Sequence, residues 1–209
     1  MFEGTTLIDW IVAVFLGDSR TAGFQQGPGY MPPRHYPFVN MLESSLRVKL
    51  HELGFERDIA VVNQGIDGDS TGGMLERFSR NVEPEKPDVV IIWGGINDLS
   101  SRRTPEDTLP NIVELVERSK AIGAVPVVLN VTPVAGVHFN DTVRELNNLT
   151  KDFCESSDTT YVDLYTELVD EDGKLADLYS NDGVHLSDAG YKKIILPIFQ
   201  CLIKIISSL

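Results

Sequence analysis

Three short segments of the chain contain the residue types that acyl transfer requires. Ser19 follows an apolar run, Asn97 follows another, and Asp182 stands three residues before His185 near the end of the chain. A serine hydroxyl is a weak nucleophile unless a base takes its proton, and a histidine suits that task because it titrates near neutrality. A carboxylate can hold the imidazole in one tautomer and stabilise the imidazolium that forms. These residue types indicate nucleophilic hydrolysis of an acyl group.

Five short apolar runs, rich in β-branched residues, predict the strands that position these groups. None of them alternates polar and apolar residues, so we expect each strand to be buried on both faces, as in a parallel sheet. The runs are Ile11–Leu16, Ile59–Asn63, Asp88–Trp93, Val125–Val131 and Thr160–Leu164.

Segments with an apolar stripe or a capping residue predict helices between the strands. Alternating strands and helices are typical of a doubly wound α/β fold. The sequence contains no repeat or linker, so we expect a single domain over residues 1–209. The predicted helices are Pro37–Leu53, one from Thr104-Pro105 to Gly123, Asp141–Glu155 capped by Asn140, and one from Asp188 to near Ile206 capped by Ser187.

The segment from Gly23 to Pro37 interrupts this pattern. Its many glycines and prolines cannot continue a helix or a central strand. We expect a surface loop whose aromatic residues line one wall of a substrate cleft, with Tyr30 as a candidate substrate-binding residue.

The polar segments follow the predicted strands. Ligands bind beyond the carboxyl ends of the strands in an open parallel sheet. We therefore expect a serine, glycine N–H groups, an asparagine amide and an Asp/His pair to converge on one edge of the sheet. The segments are Gly17-Asp18-Ser19, Asn63-Gln64-Gly65, Gly94-Gly95-Ile96-Asn97-Asp98 and, before the last helix, Asp182-Gly183-Val184-His185.

From about Val14 to its end the chain resembles the SGNH family, also called GDSL hydrolases. That family is marked by a serine block, a glycine block, a Gly-x-Asn-Asp block and an Asp-x-x-His block. All four occur here in the same order, as Gly17-Asp18-Ser19, Asn63-Gln64-Gly65-Ile66-Asp67-Gly68, Gly95-Ile96-Asn97-Asp98 and Asp182-Gly183-Val184-His185.

The resemblance implies that Ser19 is the nucleophile, His185 the base and Asp182 the acid that orients the base. It also implies that the Ser19 N–H, the Gly65 N–H and the Asn97 side-chain amide stabilise the oxyanion. The implied fold is a compact three-layer α/β/α sandwich with a five-stranded parallel sheet, the flavodoxin-like fold of SGNH hydrolases, without a metal or organic cofactor.

The chain departs from the family directly after the serine, where Arg20 replaces a frequent leucine. One hypothesis is that Arg20 binds a negatively charged part of the substrate, and the other is that it faces solvent or pairs with a surface acid. His138, in the predicted loop after the fourth strand, is a further candidate for substrate binding, with a plain surface position as its alternative.

The substrate does not follow from the fold, because the family includes lipases, thioesterases, lysophospholipases, arylesterases and carbohydrate acetylesterases. The absence of a long apolar lid in the sequence favours short acyl groups, and the Tyr- and Pro-rich segment would suit an aryl or sugar ester. Thioesterase or lysophospholipase activity is the alternative within the family.

A metal-dependent phosphatase is the rival interpretation from another class. Asp67-Gly68-Asp69-Ser70-Thr71 fits the Asp-x-Asp-x-Thr pattern of haloacid-dehalogenase-like phosphatases, in which the first aspartate attacks phosphorus and Mg²⁺ balances the charge. That motif should directly follow a strand, but Gln64-Gly65-Ile66 intervenes here. A non-catalytic binding protein is a third interpretation, which the full set of catalytic residue types disfavours.

Composition narrows the partners and the location. The formal net charge of −13 disfavours nucleic acid and anionic membranes as partners. No apolar run is long enough to span a membrane, and the N-terminus lacks the pattern of a signal peptide. We therefore expect a cytoplasmic protein that acts on a small-molecule ester, with secretion of a trimmed chain as the alternative. The oligomeric state is left open.

Overall fold

A central parallel sheet of five strands forms the middle layer of the protein. The computed structural model describes residues 9–209 apart from Pro28 and Tyr30, so the prediction for Tyr30 lies outside the described residues. The strands of the sheet are β1 Trp10–Gly17, β4 Asp58–Gly65, β5 Val89–Trp93, β6 Val125–Leu129 and β7 Thr160–Val162. They run in the order β4-β1-β5-β6-β7, and every neighbouring pair is parallel. All five predicted strands are present, with bounds that differ by one or two residues.

Helices cover both faces of this sheet. Two residue pairs in the Gly- and Pro-rich segment form a short antiparallel hairpin, β2 Phe24–Gln25 with β3 Arg34–His35. The helices are α1 Ser19–Ala22, α2 Phe38–Glu52, α3 Thr71–Asn81, α4 Ile96–Ser100, α5 Pro105–Ala121, α6 Val137–Ser156, α7 Tyr165–Leu168 and α8 Asp188–Ile206.

The alternating side chains of β1 show why the fold has three layers. Ala13 and Phe15 point into a core with α2 and α8. Val14 and Leu16 point into a second core with α3, α5 and α6. Both faces of the strand are therefore apolar and buried, as a central parallel strand requires. The predicted three-layer α/β/α sandwich is confirmed.

The prediction that every strand is buried on both faces is wrong for the two edge strands. In β4 the buried residues Ile59 and Val61 alternate with partly exposed ones, and β7 has a single buried residue, Val162. An edge strand has a neighbouring strand on one side only, so its side chains are covered less completely than those of a central strand. The burial of β1, β5 and β6 agrees with the prediction.

Asn140 does not cap a helix, which corrects the sequence prediction. Helix α6 begins at Val137 after Gly136, and Asn140 is fully buried in its first turns. Its side chain bonds both the N–H and the carbonyl of Val134, and also the carbonyl of Gly173. The side chain thus satisfies main-chain groups of two loops, which is the other common role of a buried asparagine. Ser187 and Thr104 do cap their helices as predicted.

Two remaining features concern the surface and the thiols. Among the described residues, no helix combines the length and apolar character needed to cross the lipid bilayer. Cys154 in α6 and Cys201 in α8 are free thiols, and burial raises the pKa of each to about 11. Neither thiol is therefore ionised near neutrality.

Candidate active site

The nucleophile segment begins where β1 ends. Asp18 caps the short helix α1, because its Oδ1 accepts the N–H of Arg20 at 2.9 Å. Ser19 is the first residue of that helix, so its own N–H has no acceptor within the helix. The serine is 6% exposed and lies at the carboxyl end of β1. At the carboxyl end of β1 the turn therefore presents both the Ser19 hydroxyl and a main-chain N–H that has no acceptor within the helix.

Ser19, His185 and Asp182 form a continuous hydrogen-bonded chain. Nε2 of His185 lies 3.1 Å from Oγ of Ser19, although the two residues are 166 positions apart. Nδ1 of His185 lies 2.7 Å from Oδ2 of Asp182. If Nδ1 carries the proton and donates it to the carboxylate, Nε2 is left with a lone pair toward the hydroxyl. This arrangement suits a general base for serine attack.

The carboxylate of Asp182 is also held by the main chain. Its Oδ1 accepts the N–H of Val184 at 2.9 Å and the N–H of His185 at 2.7 Å. Partial burial by itself would raise the pKa of Asp182, but the hydrogen bonds from His185 and from the two N–H groups outweigh it, and the net effect lowers the pKa. Asp182 is therefore an anion at neutral pH.

A phenyl ring packs against the imidazole. The ring of Phe24, in the hairpin, lies 4.5 Å from that of His185 between centroids, and 5.8 Å from that of His35. Nε2 of His35 lies 3.2 Å from Oδ2 of Asp67. Sequence reasoning placed this segment at the cleft but missed Phe24 itself, since nothing in a two-residue strand marks which ring faces the base.

The oxyanion side is arranged differently from the prediction. Nδ2 of Asn97 donates to the carbonyl of Asp69 at 2.8 Å, which leaves its second N–H for another acceptor. The Gly65 N–H donates to Oδ1 of Asn63 at 2.9 Å and is therefore already engaged. The structure does not support the predicted role of Gly65, because the preceding asparagine side chain folds back onto that donor.

Gly65 is instead required for packing. A Cβ there would overlap the N atom of Ala22 and lie 2.6 Å from the carbonyl carbon of Thr21. Gly68 shows the opposite situation, because a Cβ would meet open space while the backbone has φ of +77°. Two residues of one block thus have two different reasons to be glycine.

Buried acids brace this side of the site. Asp98 is 1% exposed and accepts both the N–H and the hydroxyl of Thr71, at 2.9 and 2.7 Å. Asp69 pairs with Nε of Arg77 at 2.7 Å, and Nη2 of the same arginine donates to the carbonyl of Gly17 at 3.0 Å. The aspartates of the proposed phosphatase motif are thus bonded within the rim of the serine site, Asp67 to His35 and Asp69 to Arg77.

The family of the chain is shown by its match to a protein-family model. The model of the GDSL-like lipase/acylhydrolase family matches residues 15–193. The chain belongs to this family. The predicted resemblance is therefore confirmed, and the match spans the serine, glycine, asparagine and Asp-x-x-His blocks.

Two curated relatives of this GDSL family protein are esterases by name. An arylesterase from Vibrio mimicus is 31% identical over 133 residues, which are 63% of this chain and 60% of the arylesterase. Esterase TesA from Pseudomonas aeruginosa is 31% identical over 86 residues, 41% of this chain and 42% of that esterase. The matched regions thus span less than two thirds of either relative.

Solved structures share the fold over nearly the whole chain. A GDSL-like lipase from Bacteroides thetaiotaomicron superposes with a TM-score of 0.73 at 22% identity, covering 92% of this chain and 88% of the lipase. A catalytic mutant of an acetylxylan esterase from Geobacillus stearothermophilus gives 0.76 at 20% identity, covering 94% and 95%. At these identities the comparison shows the fold alone.

In this GDSL family protein Arg20 is not available to substrate, and both hypotheses for it are wrong. The residue is 2% exposed, and its Nη2 donates to the carbonyl of Val184 at 3.0 Å. It therefore faces neither solvent nor the cleft. Burial raises the pKa of the neighbouring Asp18 to about 6, although the Arg20 charge acts in the opposite direction.

His138 lies on the surface, in agreement with the alternative given for it and not with a role in substrate binding. It is in the first turn of α6 rather than in a loop, and it is exposed. The cavity beside the triad is lined by Gly136 and Phe139 from this region, and His138 does not line it. Because successive helical side chains point in different directions, the residue next to Phe139 turns away from the cavity.

That cavity has a volume of about 330 Å³. Asn97, Ser100 and Asp182 are the polar side chains of its lining. The rest of its wall is mainly apolar and comes from α4, the loop before α6, and the loop that carries the base. The apolar lining residues include Ile96, Val134, Ala135, Phe139 and Val184.

Proposed function

We propose that the protein hydrolyses carboxylic esters through an acyl-enzyme on Ser19. The observation that carries the proposal is the bonded chain from Oγ of Ser19 through the imidazole of His185 to Asp182. This is the arrangement that activates a serine for attack on a carbonyl. Membership of the lipase/acylhydrolase family supports the same chemistry.

The reaction has two displacement steps at one carbon. Oγ attacks the ester carbonyl while Nε2 of His185 takes its proton, and a tetrahedral oxyanion forms. The oxyanion collapses, the C–O bond to the alcohol breaks, and His185 returns the proton to the departing alkoxide. Water then attacks the acyl-enzyme with His185 again as base, and release of the acid restores Ser19.

The oxyanion needs donors that are in place before it forms. We assign them as the Ser19 N–H, the second N–H of Asn97 and the N–H of Gly68, with Gly68 replacing Gly65. The support is that Asn97 bonds the carbonyl of Asp69, next to Gly68, whereas the Gly65 N–H is bonded to Asn63.

The cavity beside the triad suits a small acyl group. Its volume of about 330 Å³ is near the lower end of the roughly 300–1,000 Å³ typical of small-molecule sites. We assign it to the acyl group, because Asn97 and Asp182 line it together with mainly apolar side chains. Short-acyl, aryl and acetylated-sugar esters are the substrates proposed, and thioesters or lysophospholipids are the alternative within the family.

The names of similar proteins are consistent with this proposal. Arylesterase and esterase activities are named for the two curated relatives, and the Geobacillus enzyme is an acetylxylan esterase. That enzyme has been solved as catalytic mutants in which a serine or a histidine is replaced by alanine. Those are the residue types proposed here as nucleophile and base.

Replacement of the nucleophile and of the base tests the proposal. Ser19→Ala and His185→Ala should each lower kcat for p-nitrophenyl acetate by about 10⁴-fold or more, because each removes a member of a unit that acts together. Circular dichroism and thermal melting should show folded proteins. Retention of wild-type rates by either folded variant would overturn the assignment.

A panel of esters then defines the substrate. Acyl chains of two to twelve carbons, aryl acetates, acetylated xylose and an acyl-thioester should be compared by kcat/KM. The cavity predicts a maximum at short chains and a decline for the longest. A steady rise to twelve carbons, or a preference for the thioester, would favour the alternative substrates.

A further inference from the structure

We propose that Arg20 is a positioning residue that fixes the peptide between Val184 and His185, and thereby the general base, relative to the nucleophile. The proposal rests on the function proposed above and deepens it. It concerns how the catalytic distance is kept, since Arg20 itself is too deeply buried to touch substrate.

The first observation is the cost of placing a guanidinium there. A buried charge is expensive unless it is paired and fully hydrogen-bonded. Burial lowers the pKa of the Arg20 guanidinium, although the charges of Asp18 and Asp182 act in the opposite direction. Among the described residues its buried Nε has no hydrogen-bond partner. The pocket thus leaves part of the guanidinium without a partner, and an apolar side chain such as leucine would avoid that cost.

The second observation is what the guanidinium holds. Its Nη2 donates to the carbonyl oxygen of Val184 at 3.0 Å. The N–H of the same peptide unit belongs to His185 and donates to Oδ1 of Asp182 at 2.7 Å. A trans peptide is planar, and its C=O and N–H point in opposite directions. The unit is therefore held at both ends, which fixes its plane and the direction in which the His185 side chain leaves the backbone.

The third observation is that nucleophile and anchor share one helix. Ser19 and Arg20 are adjacent in α1, and the backbone of Arg20 is itself held. Its N–H donates to Asp18, and its carbonyl accepts the hydroxyl of Tyr191 in α8 at 2.9 Å. The Tyr191 ring is stacked on Phe38, 5.0 Å away between centroids.

These contacts form a closed ring. It runs from Ser19 through Arg20 to the Val184 carbonyl, along one peptide to His185, and back to Oγ of Ser19 across 3.1 Å. A misplacement of about 1 Å at a reacting atom can cost on the order of a hundredfold in rate. Helix α1 thus supplies two side-chain bonds to this ring, one from the nucleophile Ser19 to the imidazole and one from Arg20 to the peptide that carries it.

The main variant is Arg20→Leu, which removes the donor and keeps an apolar side chain in the space. It should lower kcat for a neutral short-chain ester about 10- to 100-fold and change KM by less than about threefold. An anionic ester of the same acyl group should lose the same factor. Arg118→Leu is the matched control, because Nη1 of Arg118 also donates to a main-chain carbonyl, that of Leu75 at 3.2 Å, but far from the triad on α5. It should leave kcat unchanged.

Two further measurements separate positioning from loss of stability. Arg20→Lys keeps the charge but offers a flexible point donor in place of a rigid fork, so its kcat should fall between those of Arg20→Leu and the wild type. The low-field proton NMR signal of Nδ1–H in His185 should be broadened or shifted in both variants. Leu202→Ala destabilises the core by leaving a cavity on α8, and it should keep both the signal and kcat.

The outcomes are distinct. A raised KM with unchanged kcat, or a loss confined to the anionic ester, would show that Arg20 binds substrate and would overturn the proposal. So would wild-type kcat and an unchanged NMR signal in Arg20→Leu or, should that variant not fold, in Arg20→Lys. Failure of the proposed function has its own signature, which is turnover by Ser19→Ala regardless of Arg20.

Discussion

The two halves of the active site reach Ser19 by different means. On one side, Nε2 of His185 contacts Oγ of Ser19 at 3.1 Å, and the imidazole is itself held by the carboxylate of Asp182 at 2.7 Å. On the other side, Asn97 and the segment around Gly68 are positioned through main-chain groups, the carbonyl of Asp69 among them. In the proposed mechanism, proton transfer therefore depends on side-chain identity, whereas oxyanion stabilisation depends on the path of the backbone.

We expect the largest loss of activity from a substitution on the side that carries Asp182 and His185. Asp182→Asn should lower kcat about 10³- to 10⁴-fold, since an amide no longer fixes the tautomer that leaves Nε2 free. The amide oxygen can still accept the N–H groups of Val184 and His185, so thermal stability should change little. Steady-state kinetics and a thermal melt check both statements, and a loss below about tenfold would show that Asp182 is not the orienting acid.

On the side of Asn97 and Gly68, loss of the Asn97 side-chain donor should lower activity by a smaller factor. Asn97→Ala should lower kcat about 10²- to 10³-fold with little change in KM, which is the usual cost of one oxyanion donor. Ser101→Ala, at the exposed C-terminal end of the same short helix, serves as the matched control and should behave as the wild type. A change in KM alone would indicate that Asn97 contacts the ground-state substrate.

Gly65 and Gly68, the two glycines of the second block, should differ in how much stability is lost when each is replaced by alanine. Gly65→Ala should destabilise strongly or prevent folding, because its Cβ would overlap the Ala22 backbone. Gly68→Ala has open space and should cost only about 1–2 kcal/mol, the strain of a left-handed backbone. Urea denaturation measures both, and equal losses would contradict the separate roles assigned to them.

A smaller, pH-dependent effect is expected at Asp18. Burial raises its pKa to about 6 from 3.8, so between these values the folded state binds a proton that the unfolded chain has released. The stabilising effect of that proton is complete below about pH 4 and is lost as the pH rises through 6. Relative to Asp18→Asn, the wild type should therefore lose up to about 1.4 kcal/mol of unfolding free energy per pH unit in this window. If urea denaturation gave the same difference in unfolding free energy between the wild type and Asp18→Asn from pH 4 to 7, the raised pKa of Asp18 would be excluded.

The limits of sequence reasoning follow the same division. The triad residues could be named because their side chains carry the chemistry and their blocks are widely spaced, and the five strands could be named because apolar runs mark buried strands. The oxyanion donor in the glycine block was harder to name, because every residue has an N–H. Only the structure shows that the Asn63 side chain accepts the N–H of Gly65. The position of Arg20 could not be predicted, because its charge suggested contact with substrate, with solvent or with a surface acid. Only the fold shows that its guanidinium is buried and donates to the carbonyl of Val184.

The most direct test of the central claim is covalent labelling of the nucleophile. The protein should be treated with a small fluorophosphonate, and its intact mass and peptide map recorded. The account predicts a single adduct on Ser19, formed quickly in the wild type, far more slowly in His185→Ala and not at all in Ser19→Ala. Labelling at another residue, or equal rates with and without the imidazole, would contradict the proposed chain of proton transfer.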